Sequence, residues 1–322
     1  CFSRVEKEDE GLLTNRIQFI IDNADTRKVR GKKKLGLSLS RVKSYITFKN
    51  LIDIYQKEIR KQIHLLDINK AFVDKLINWL INTKSYSMNY AGKQIDNLKT
   101  VCLDAKKMDI PINSYANKIE SFSESDEDRY IVTLSFSELK KIKELKIENK
   151  SLNNARNWIL LGCDLGQRGN DLLNISPNKL RQIKEMTLID IYQSKNDKWV
   201  TVPINSPYLI GIIENDFPYK ISTQNLNNYI KDVCKLAEIN VLTEGKKKDK
   251  DSKRKLFGTY PKHELITSHC FRRSFSTNYY KKIPTPILIN ITGHARESLF
   301  LTYINRREDK DSNAEMFSEF YK

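Results

Sequence analysis

Residues 155–175 read ARNWILLGCDLGQRGNDLLNI, an apolar run that is broken by glycines at 166 and 169. Apolar residues at three- and four-residue spacing predict a largely buried helix before the break, and glycines are typical of helix interruptions. Arg168 lies in the break, and Asp171 follows three residues later, about one helical turn away. A buried arginine needs partners, so an internal Arg168–Asp171 ion pair is the simplest interpretation.

A β-hairpin is predicted further along the chain, in TLIDIYQSKNDKWVTVPI at residues 187–204. Two alternating apolar and polar runs flank the polar segment SKND, which is typical of two antiparallel strands and their turn. Lys195 falls in the turn, and Lys198 follows it closely. Lysines at turns are ordinarily solvated, so this position alone indicates no function.

Two further motifs near the C-terminus place titratable residues among apolar ones. In SHCFRRSFSTNYY, residues 268–280, His269 and Arg272 have the i, i+3 spacing of one helix face. In TGHARESLFLTYI, residues 292–304, His294 follows a glycine. The chain has only four histidines, and two of them fall in these short motifs.

Tyr303 lies nine residues after His294 in an apolar run, where a tyrosine is most often a packing residue. On one continuous helix, nine residues at 100° each would place the two side chains on opposite faces. Both can reach one site only if the chain bends between them. The family resemblance set out below places both at one site, and it therefore predicts a break in ARES, residues 295–298, with Ser298 as the candidate N-cap.

Charge is the dominant feature of the composition. The 322 residues carry a formal net charge of +16 at pH 7, with 30% charged and 39% hydrophobic residues. Clustered lysines and arginines gain affinity by releasing counterions from phosphates, so nucleic acid is the expected partner. An anionic membrane is the rival partner, but no apolar run approaches the roughly 18 residues of a membrane span. The five separated cysteines form no CxxC pair, which argues against a zinc ribbon or a disulfide scaffold and favours a reducing compartment.

The N-terminal third of the chain has the periodicity of helices, at residues 46–63, 69–83 and 90–108. Pro111 ends the third of them. This pattern predicts a compact helical domain with basic faces. Such faces either contact DNA or are simply solvated, since lysines are common on solvated helix faces. The candidate DNA contacts on it are Lys93, Lys99 and Lys106. The preceding tract, TRKVRGKKKLG, has two equally weighted interpretations: it lies along DNA phosphates, or it is a solvated linker. Its candidate DNA contacts are Lys32, Lys33 and Lys34.

A second domain is predicted after SFSESDED, residues 121–128, which has the composition of a linker. RYIVTLS, residues 129–135, predicts a short strand, and Ser135 with Glu138 forms a capping box that opens a helix. Helices return from about residue 222. They are interrupted by EGKKKDKDSKRK, residues 244–255, for which a mobile lysine-rich loop is expected.

The order of an arginine box, a hairpin lysine, an H-x-x-R motif, a Gly-His pair and a tyrosine resembles the tyrosine recombinases, or phage integrase family. GQRGNDLL, SHCFRRSFSTN and GHARESLFLTY match the family's two arginine boxes and its nucleophile box. The resemblance covers residues from about 45 to 310. FVDKLINWLINTKSYSMNYAGKQIDNLKTVCLDAKKM is similar to the core-binding domain of integrases from Bacteroides-type mobile elements.

The resemblance implies a mainly α fold with a small β-sheet or hairpin in the catalytic domain, arranged as a two-domain C-shaped clamp. The implied domains are an N-terminal helix and basic linker at 1–44, a helical SAM-like core-binding domain at 45–120, a linker at 121–129, and a catalytic domain with a C-terminal exchange segment at 130–322. Members of this branch often carry an additional arm-binding domain, of which the first segment would be a remnant.

The resemblance also implies roles for single residues. Tyr303 would attack the scissile phosphodiester and leave a 3′-phosphotyrosyl link. Arg168 and Arg272 would clamp the non-bridging oxygens, since a guanidinium is a planar fork that stays charged. Lys195 would protonate the departing 5′ oxygen.

Three residues have supporting roles by the same resemblance. His269 would accept or relay the tyrosine proton, His294 would donate a hydrogen bond to the phosphate, and Asp171 would orient its neighbours. The family frequently has threonine after the hairpin lysine, whereas this chain has Asn196. Lys198 therefore remains a competitor for the role of Lys195.

The implied function is a site-specific DNA recombinase of a mobile element that works through a Holliday junction without metal, ATP or another cofactor. Its expected partners are double-stranded DNA at attachment or core sites, three further copies of the chain on that DNA, and accessory DNA-bending proteins; no membrane is involved. The free protein is expected to be a monomer or weak oligomer in the bacterial cytoplasm, associated with the nucleoid when bound. The segment after Tyr303 is expected to dock on a neighbouring subunit rather than on its own domain. The alternatives are a non-catalytic DNA-binding or architectural protein and a type IB topoisomerase-like activity.

Overall fold

The computed structural model describes residues 10–29, 35–125, 130–249, 251–252 and 254–304, together with 314, 317 and 318. The chain divides into two compact units, Cys1–Ser125 and Asp126–Lys322. Each unit has its own hydrophobic core. Within the described ranges, no helix combines the length and the apolar character needed to cross a membrane.

The first unit is built from helices, and the three helices predicted from the periodicity are present. Its main helices are α1 (Leu13–Asp22), α2 (Leu39–Ile59), α3 (Lys70–Asn78) and α4 (Met88–Lys106), and a π-helical turn, Trp79–Thr83, continues α3. Ser38, Asn69 and Ser87 cap α2, α3 and α4, because each side-chain oxygen accepts a hydrogen bond from the backbone N–H three residues later. Ile17 and Ile20 of α1 belong to the same core as α2–α4, so the N-terminal helix is part of this unit.

The second unit combines helices with two small antiparallel sheets, which confirms the mainly α fold with a small β component. Its helices are α5 (Phe136–Glu144), α6 (Lys150–Leu165), α7 (Gly169–Leu172), α8 (Pro207–Asn215), α9 (Thr223–Leu236), α10 (Lys262–Leu265), α11 (Ser268–Tyr279), α12 (Thr285–Thr292) and α13 (Glu297–Tyr303). Its strands are β1 (Leu180–Ile183), β2 (Met186–Gln193), β3 (Lys198–Ile204), β4 (Leu242–Lys248) and β5 (Lys255–Pro261).

Helix α6 lies at the centre of the second unit and packs against α11 and α9. Trp158 of α6 and Phe271 of α11 are fully buried in the shared core. A Cβ at Gly162 would lie 2.8 Å from Cδ2 of Leu172 and would also collide with the ring of Phe271. The small residue therefore allows α6 and α11 to approach closely, and this approach brings the two arginine boxes together.

The predicted hairpin is present as β2 and β3, joined by a turn at residues 194–197. β1, which the sequence patterns did not predict, adds to the free edge of β2, so the sheet has the order β1-β2-β3. Ile189, Val200 and Val202 are buried on the side of the sheet that faces the core. The turn therefore lies at one end of a sheet that the core holds in place.

The strand predicted in RYIVTLS is wrong, because its described residues have no strand partner. Their backbone groups pair with side chains of α11 instead: the N–H of Leu134 donates to Oγ of Ser274 at 2.8 Å, and its carbonyl accepts from Nδ2 of Asn278 at 2.9 Å. Val132 and Leu134 are buried. The alternating pattern arises because one side of the segment is buried, and it does not require pairing with another strand. The capping box at Ser135 and Glu138 is confirmed at the start of α5.

The loop expected in EGKKKDKDSKRK is also wrong, since half of this stretch, residues 244–248 and 255, belongs to the strands of the antiparallel hairpin β4–β5. Gly245 faces Gly258 across the hairpin, and a Cβ at Gly245 would lie 2.8 Å from the side chain of Leu265. One face of the hairpin is therefore packed against the segment before α11. This packing gives the hairpin a support that its lysine-rich composition does not reveal.

Candidate active site

Arg168 lies in the break between α6 and α7, where the sequence predicted an interruption. Gly166 ends α6 in the left-handed conformation, with φ of +63°, and Arg168 has the extended backbone of a residue that precedes a helix. Nη1 of Arg168 lies 4.0 Å from Oδ2 of Asp171. This nitrogen is buried and has no hydrogen-bond partner among the described residues. The Arg168–Asp171 pair is therefore loose, and it leaves the guanidinium able to bind an anion.

Helix α11 presents His269, Arg272 and Arg273 on one face, because these residues are three and four positions apart. Arg272 is 2% exposed. Its Nη1 donates to the carbonyl oxygen of Gly166 at 3.2 Å, so the end of α6 helps to hold this guanidinium. Nε of Arg273 is buried and has no hydrogen-bond partner in the described part of the chain.

The predicted break between His294 and Tyr303 is confirmed. α12 ends at Thr292, Gly293 has φ of +67°, and α13 begins at Glu297. The residue before α13 is Arg296, with extended backbone and no side-chain cap, so the prediction of Ser298 as N-cap is wrong. The break turns both side chains to one place: the rings of His294 and Tyr303 are 5.0 Å apart.

Tyr303 is surrounded by two imidazoles and two guanidiniums. Its ring lies 5.6 Å from the ring of His269, and the guanidinium carbons of Arg272 and Arg273 are 5.8 Å and 5.3 Å from its centre. The hydroxyl is buried and has no hydrogen-bond partner within the described ranges. A buried polar atom without a partner costs free energy, and such atoms are often explained by a missing ligand.

The charges around Tyr303 shift the pKa values of the titratable groups. Burial raises the pKa of Tyr303, and Arg272 and Arg273 oppose that rise. Burial, followed by the charges of Arg273, Arg272 and Arg168, lowers the pKa of His269 to about 4. Burial, followed by Arg272, Arg168 and Lys195, lowers the pKa of His294 to about 3. Both imidazoles are therefore neutral at pH 7, and the cluster carries an excess of positive charge that suits an anionic ligand.

Lys195 lies in the β2–β3 turn, and its side chain is exposed. Its neighbours Ser194 and Asn196 hydrogen-bond to Asp171 and to the carbonyl oxygen of Gly293, which places the turn beside the arginines and histidines. Lys198, the competing lysine, is the first residue of β3. The hairpin therefore carries Lys195 to the arginines and histidines, although it is separated from them in the sequence.

Asp171 anchors the turn that carries Lys195. The carboxylate is 3% exposed, and its Oδ1 accepts hydrogen bonds from the backbone N–H and the hydroxyl of Ser194 at 3.1 Å and 2.6 Å. Its second oxygen faces Arg168. One carboxylate therefore links the first arginine box to the residue before Lys195.

The lysines predicted to bind DNA have different environments. Lys93 is exposed on α4. Lys99 is half-buried and donates to the carbonyl oxygen of Ile119 at 2.6 Å, so it supports the fold of its own unit. Lys106 is exposed and lies 3.3 Å from Oδ1 of Asn117. The other candidates, Lys32, Lys33 and Lys34, lie outside the described residues, as does most of the segment after Tyr303.

Sequence reasoning did not find three residues that the structure brings into this cluster or next to it. Arg273 is four residues from His269, so the same helical argument that selected Arg272 would have selected it as well. Ser194 and Thr292 contact Asp171 and His294. No sequence signal marks these two residues. The partner of Ser194 is distant in the sequence, and the contact of Thr292 with His294 forms only because the helix ends at Thr292. Among the described residues, no group of three His, Cys, Asp or Glu side chains could hold a metal ion.

Comparisons with known proteins show which domain and which fold this chain resembles. Residues 21–121 match the phage integrase SAM-like domain. No curated protein matches the sequence. A lambda integrase dimer bound to a COC′ core site shares 15% identity and a TM-score of 0.63, over 96% of this chain and 82% of that one. The Tn1549 transposon integrase in complex with transposon right end DNA shares 14% identity and a TM-score of 0.61, over 95% and 99%.

A third structure, the XerH site-specific recombinase bound to a palindromic difH substrate, shares 12% identity and a TM-score of 0.59, over 96% of this chain and 95% of that one. At these identities the likeness is one of fold. Together with the SAM-like domain, it confirms the resemblance to the tyrosine recombinases that the sequence motifs indicated.

Proposed function

We propose that this chain, which carries a phage integrase SAM-like domain and has the fold of the tyrosine recombinases, is a site-specific DNA recombinase with Tyr303 as its nucleophile. The observation that supports this most directly is the environment of Tyr303. Its buried hydroxyl has no hydrogen-bond partner among the described residues and lies among Arg272, Arg273 and two imidazoles that are neutral at pH 7. A phosphodiester would supply an anion for these cations.

In the proposed cleavage step, the phenol oxygen of Tyr303 forms a bond to phosphorus while the bond from phosphorus to the 5′ oxygen breaks. His269 takes the proton of Tyr303, which its low pKa permits because the imidazole is unprotonated at pH 7. Lys195 gives a proton to the departing 5′ oxygen. The products are a 3′-phosphotyrosyl link and a free 5′-hydroxyl.

Arg168 and Arg272 act on the non-bridging oxygens. Arg272 is held in place before the phosphate arrives, by burial and by its bond to the carbonyl of Gly166, so little reorganisation is needed in the transition state. Arg168 has a buried nitrogen with no hydrogen-bond partner among the described residues. Two guanidiniums would balance the charge that develops on the phosphate, which is the work that a metal ion does in other enzymes of DNA cleavage.

The phosphotyrosyl link keeps the energy of the broken bond, so rejoining to another strand would need no ATP. Exchange between two duplexes, one strand of each at a time, passes through a Holliday junction and requires four protomers. One of the similar structures is a lambda integrase tetramer bound to a Holliday junction. We propose the same assembly for this chain, with the segment after Tyr303 docking on a neighbouring subunit.

The DNA partner follows from the charge of the chain and from the fold. A net charge of +16 supplies the electrostatic part of binding to any duplex. Three of the similar structures contain core-site, transposon-end or difH DNA. We propose double-stranded DNA at the ends of a mobile element as the substrate, bent by accessory proteins, in the bacterial nucleoid. Membership of the Bacteroides-type branch stays a prediction.

Covalent capture tests the proposed function. The protein is incubated with sheared DNA that includes the borders of the element carrying its gene, then denatured, and the DNA that remains attached is sequenced. A recombinase gives an adduct at one recurring sequence, and Tyr303→Phe gives none. Tyr229→Phe, at a half-buried tyrosine of α9, is the matched control and keeps the adduct.

Each alternative has its own outcome in this assay. A non-catalytic architectural protein would bind DNA and give no adduct with wild-type protein. A topoisomerase-like enzyme would give adducts at scattered sequences and relax supercoiled DNA as a monomer.

A further inference from the structure

The turn that carries Lys195 is tied on its other side to the loop that carries His294. Nδ2 of Asn196 donates to the carbonyl oxygen of Gly293 at 2.7 Å and to Oε1 of Gln193 at 3.2 Å. Gln193 is the last residue of β2, and Gly293 immediately precedes His294. Because Asn196 follows Lys195 directly, its amide fixes the backbone next to the lysine.

Behind Asn196, two buried glutamines extend the connection into the core. Nε2 of Gln193 donates to Oε1 of Gln167 at 2.8 Å and to the carbonyl oxygen of Ile291 at 2.9 Å. Nε2 of Gln167 donates to the carbonyl oxygens of Leu165 and Ile291 at 2.7 Å and 3.1 Å. Both glutamines are 0% exposed. Gln167 is also the residue before Arg168, so the first arginine box, the hairpin and the His294 loop meet in this chain of amides.

The three carboxamides have only one consistent orientation. Every NH2 group makes two donor contacts, and the oxygens of Gln167 and Gln193 each accept from the next amide in the chain. Reversing any one of them would set donor against donor or acceptor against acceptor. Gln167 and Gln193 are buried and Asn196 is exposed. Buried amides that are satisfied in this way form a stiff network with a single arrangement, and here that network holds Asn196 from behind.

The backbone at Gly293 completes the arrangement. Its φ of +67° favours glycine, and a Cβ there would collide with Oε1 of Gln193 and lie 2.6 Å from Nδ2 of Asn196. The absence of a side chain therefore lets Asn196 reach the carbonyl of Gly293. The hairpin turn is held on one side by Asp171 through Ser194, and on the other by Gly293 through Asn196.

From this geometry we infer that Gln167, Gln193 and Asn196 form a positioning device for Lys195, which sets the lysine against the leaving oxygen during DNA cleavage. The inference rests on the proposed function and adds three residues to it. None of the three touches the reacting atoms. They act through the turn, and an asparagine after the lysine is what connects that turn to the His294 loop.

The test separates a poorly placed general acid from other defects. A duplex is prepared with sulfur in place of the bridging 5′ oxygen at the scissile phosphate. The thiolate that leaves from it is a far weaker base than an alkoxide and departs without a proton. A variant that has lost only proton donation is slow on the ordinary substrate and fast on the sulfur substrate.

For Asn196→Ala and the isosteric Asn196→Asp, we expect adduct formation on the ordinary duplex to fall by roughly ten- to a hundredfold, a part of the usual contribution of a general acid. On the sulfur duplex both variants should react at close to the wild-type rate. Lys195→Ala is the reference for complete loss of the acid and should show the same rescue. Lys198→Ala is the matched control and should be normal on both duplexes.

Two results would overturn the inference: wild-type rates for both Asn196 variants on the ordinary duplex, or equal slowing on the two duplexes, which indicates a general structural defect. Rescue of Lys198→Ala with none for Lys195→Ala would also overturn it, because the acid would then be the other lysine. Absence of any wild-type adduct on both duplexes is a different result, since it rejects the proposed recombinase function itself.

Discussion

The hydroxyl of Thr292 lies 2.8 Å from Nδ1 of His294 and determines which ring nitrogen carries the proton. The same hydroxyl lies 2.5 Å from the carbonyl oxygen of Leu288. A carbonyl only accepts, so the hydroxyl donates to it and must accept from Nδ1–H of His294. Nε2 then carries the lone pair and faces Nη2 of Arg272 at 3.5 Å. In the free protein, His294 is thus a neutral acceptor on the side where the phosphate would bind.

The first prediction concerns proton uptake on DNA binding. If His294 donates to the phosphate through Nε2, it must become an imidazolium, because its Nδ1–H is held by Thr292. Its pKa of about 3 in the free protein must then rise when the phosphate arrives. Affinity for the cognate duplex should increase by up to about tenfold for each unit that the pH falls between these two pKa values.

Calorimetry in buffers of different ionisation enthalpy counts the protons taken up. Thr292→Val should reduce the uptake, since the ring could then adopt the neutral form that donates from Nε2. His294→Asn should abolish it. Binding of wild-type protein with no proton uptake across this range would contradict the role of His294 as a charged donor.

The second prediction concerns Arg272. Lysine keeps the charge but loses the planar fork that bonds Gly166 and faces His294. Arg272→Lys should slow adduct formation by roughly 100-fold, the usual effect of removing one preorganised donor. Duplex affinity should change little. Arg181→Lys, at an arginine paired with Asp190 on the surface, is the control and should cleave normally. Equal rates for the two variants would remove Arg272 from the proposed mechanism.

The third prediction concerns Arg273, whose guanidinium carbon lies 5.3 Å from the centre of the Tyr303 ring. Its charge lowers the pKa of the tyrosine, against the effect of burial. Arg273→Gln should therefore raise that pKa further and slow cleavage by about tenfold, and the factor should stay constant between pH 6 and 9 because this range lies below the raised pKa in both proteins. Single-turnover rates between pH 6 and 9 would measure this. Arg273→Lys should restore most of the rate, and a wild-type rate in the glutamine variant would count against the idea.

The fourth prediction concerns Gly293. An alanine there must adopt a φ of +67° and displace Gln193 and Asn196, so Gly293→Ala should lower the free energy of unfolding by about 1–3 kcal/mol. The cleavage rate should fall as well. Gly211→Ala is the matched control, because a Cβ at Gly211 meets nothing within 4 Å. In the interior of α8 it should stabilise the unit by about 0.5–1 kcal/mol. Urea unfolding of both variants checks the difference, and equal stabilities would contradict it.

The fifth prediction concerns acid stability. His294 has a pKa of about 3 in the folded protein and 6.5 as an ordinary histidine. Between these values the unfolded chain binds a proton that the folded chain does not, so this contribution to stability is complete above pH 6.5 and is lost as the pH falls towards 3. His294→Asn removes that titration. From pH 7 to pH 5, its urea midpoint should fall less than that of wild-type protein. A parallel decline in the two proteins would refute the depressed pKa.

The sequence was sufficient wherever the determining interactions are local. The end of α6 at Gly166, the capping box of α5 and the β2–β3 turn follow from residues within a few positions of each other. The break between His294 and Tyr303 followed from helix geometry once the family resemblance had assigned both residues to one site. The same local reasoning would have found Arg273, since it depends only on spacing along α11.

It was insufficient wherever a segment's partners are distant. Leu134 bonds to Ser274 and Asn278 of α11, so a stretch with the pattern of a strand is not one. The lysine-rich segment after residue 243 forms a hairpin because one face packs beside Leu265. In both cases the sequence pattern reflected burial or charge, whereas contacts with residues more than ten positions away in the sequence determined the conformation.

The residues of the candidate site show the same division. By itself, the sequence selected the candidate side chains, because the order of an arginine box, H-x-x-R, a Gly-His pair and a tyrosine can be read from the chain without any structure. Only the tertiary structure decided how they are held. The turn that carries Lys195 is held by Asp171 and Gly293, which are far apart in the sequence. The packing of α6 against α11 determines where both arginines lie. Such contacts depend on distances in space, which no spacing along the chain encodes.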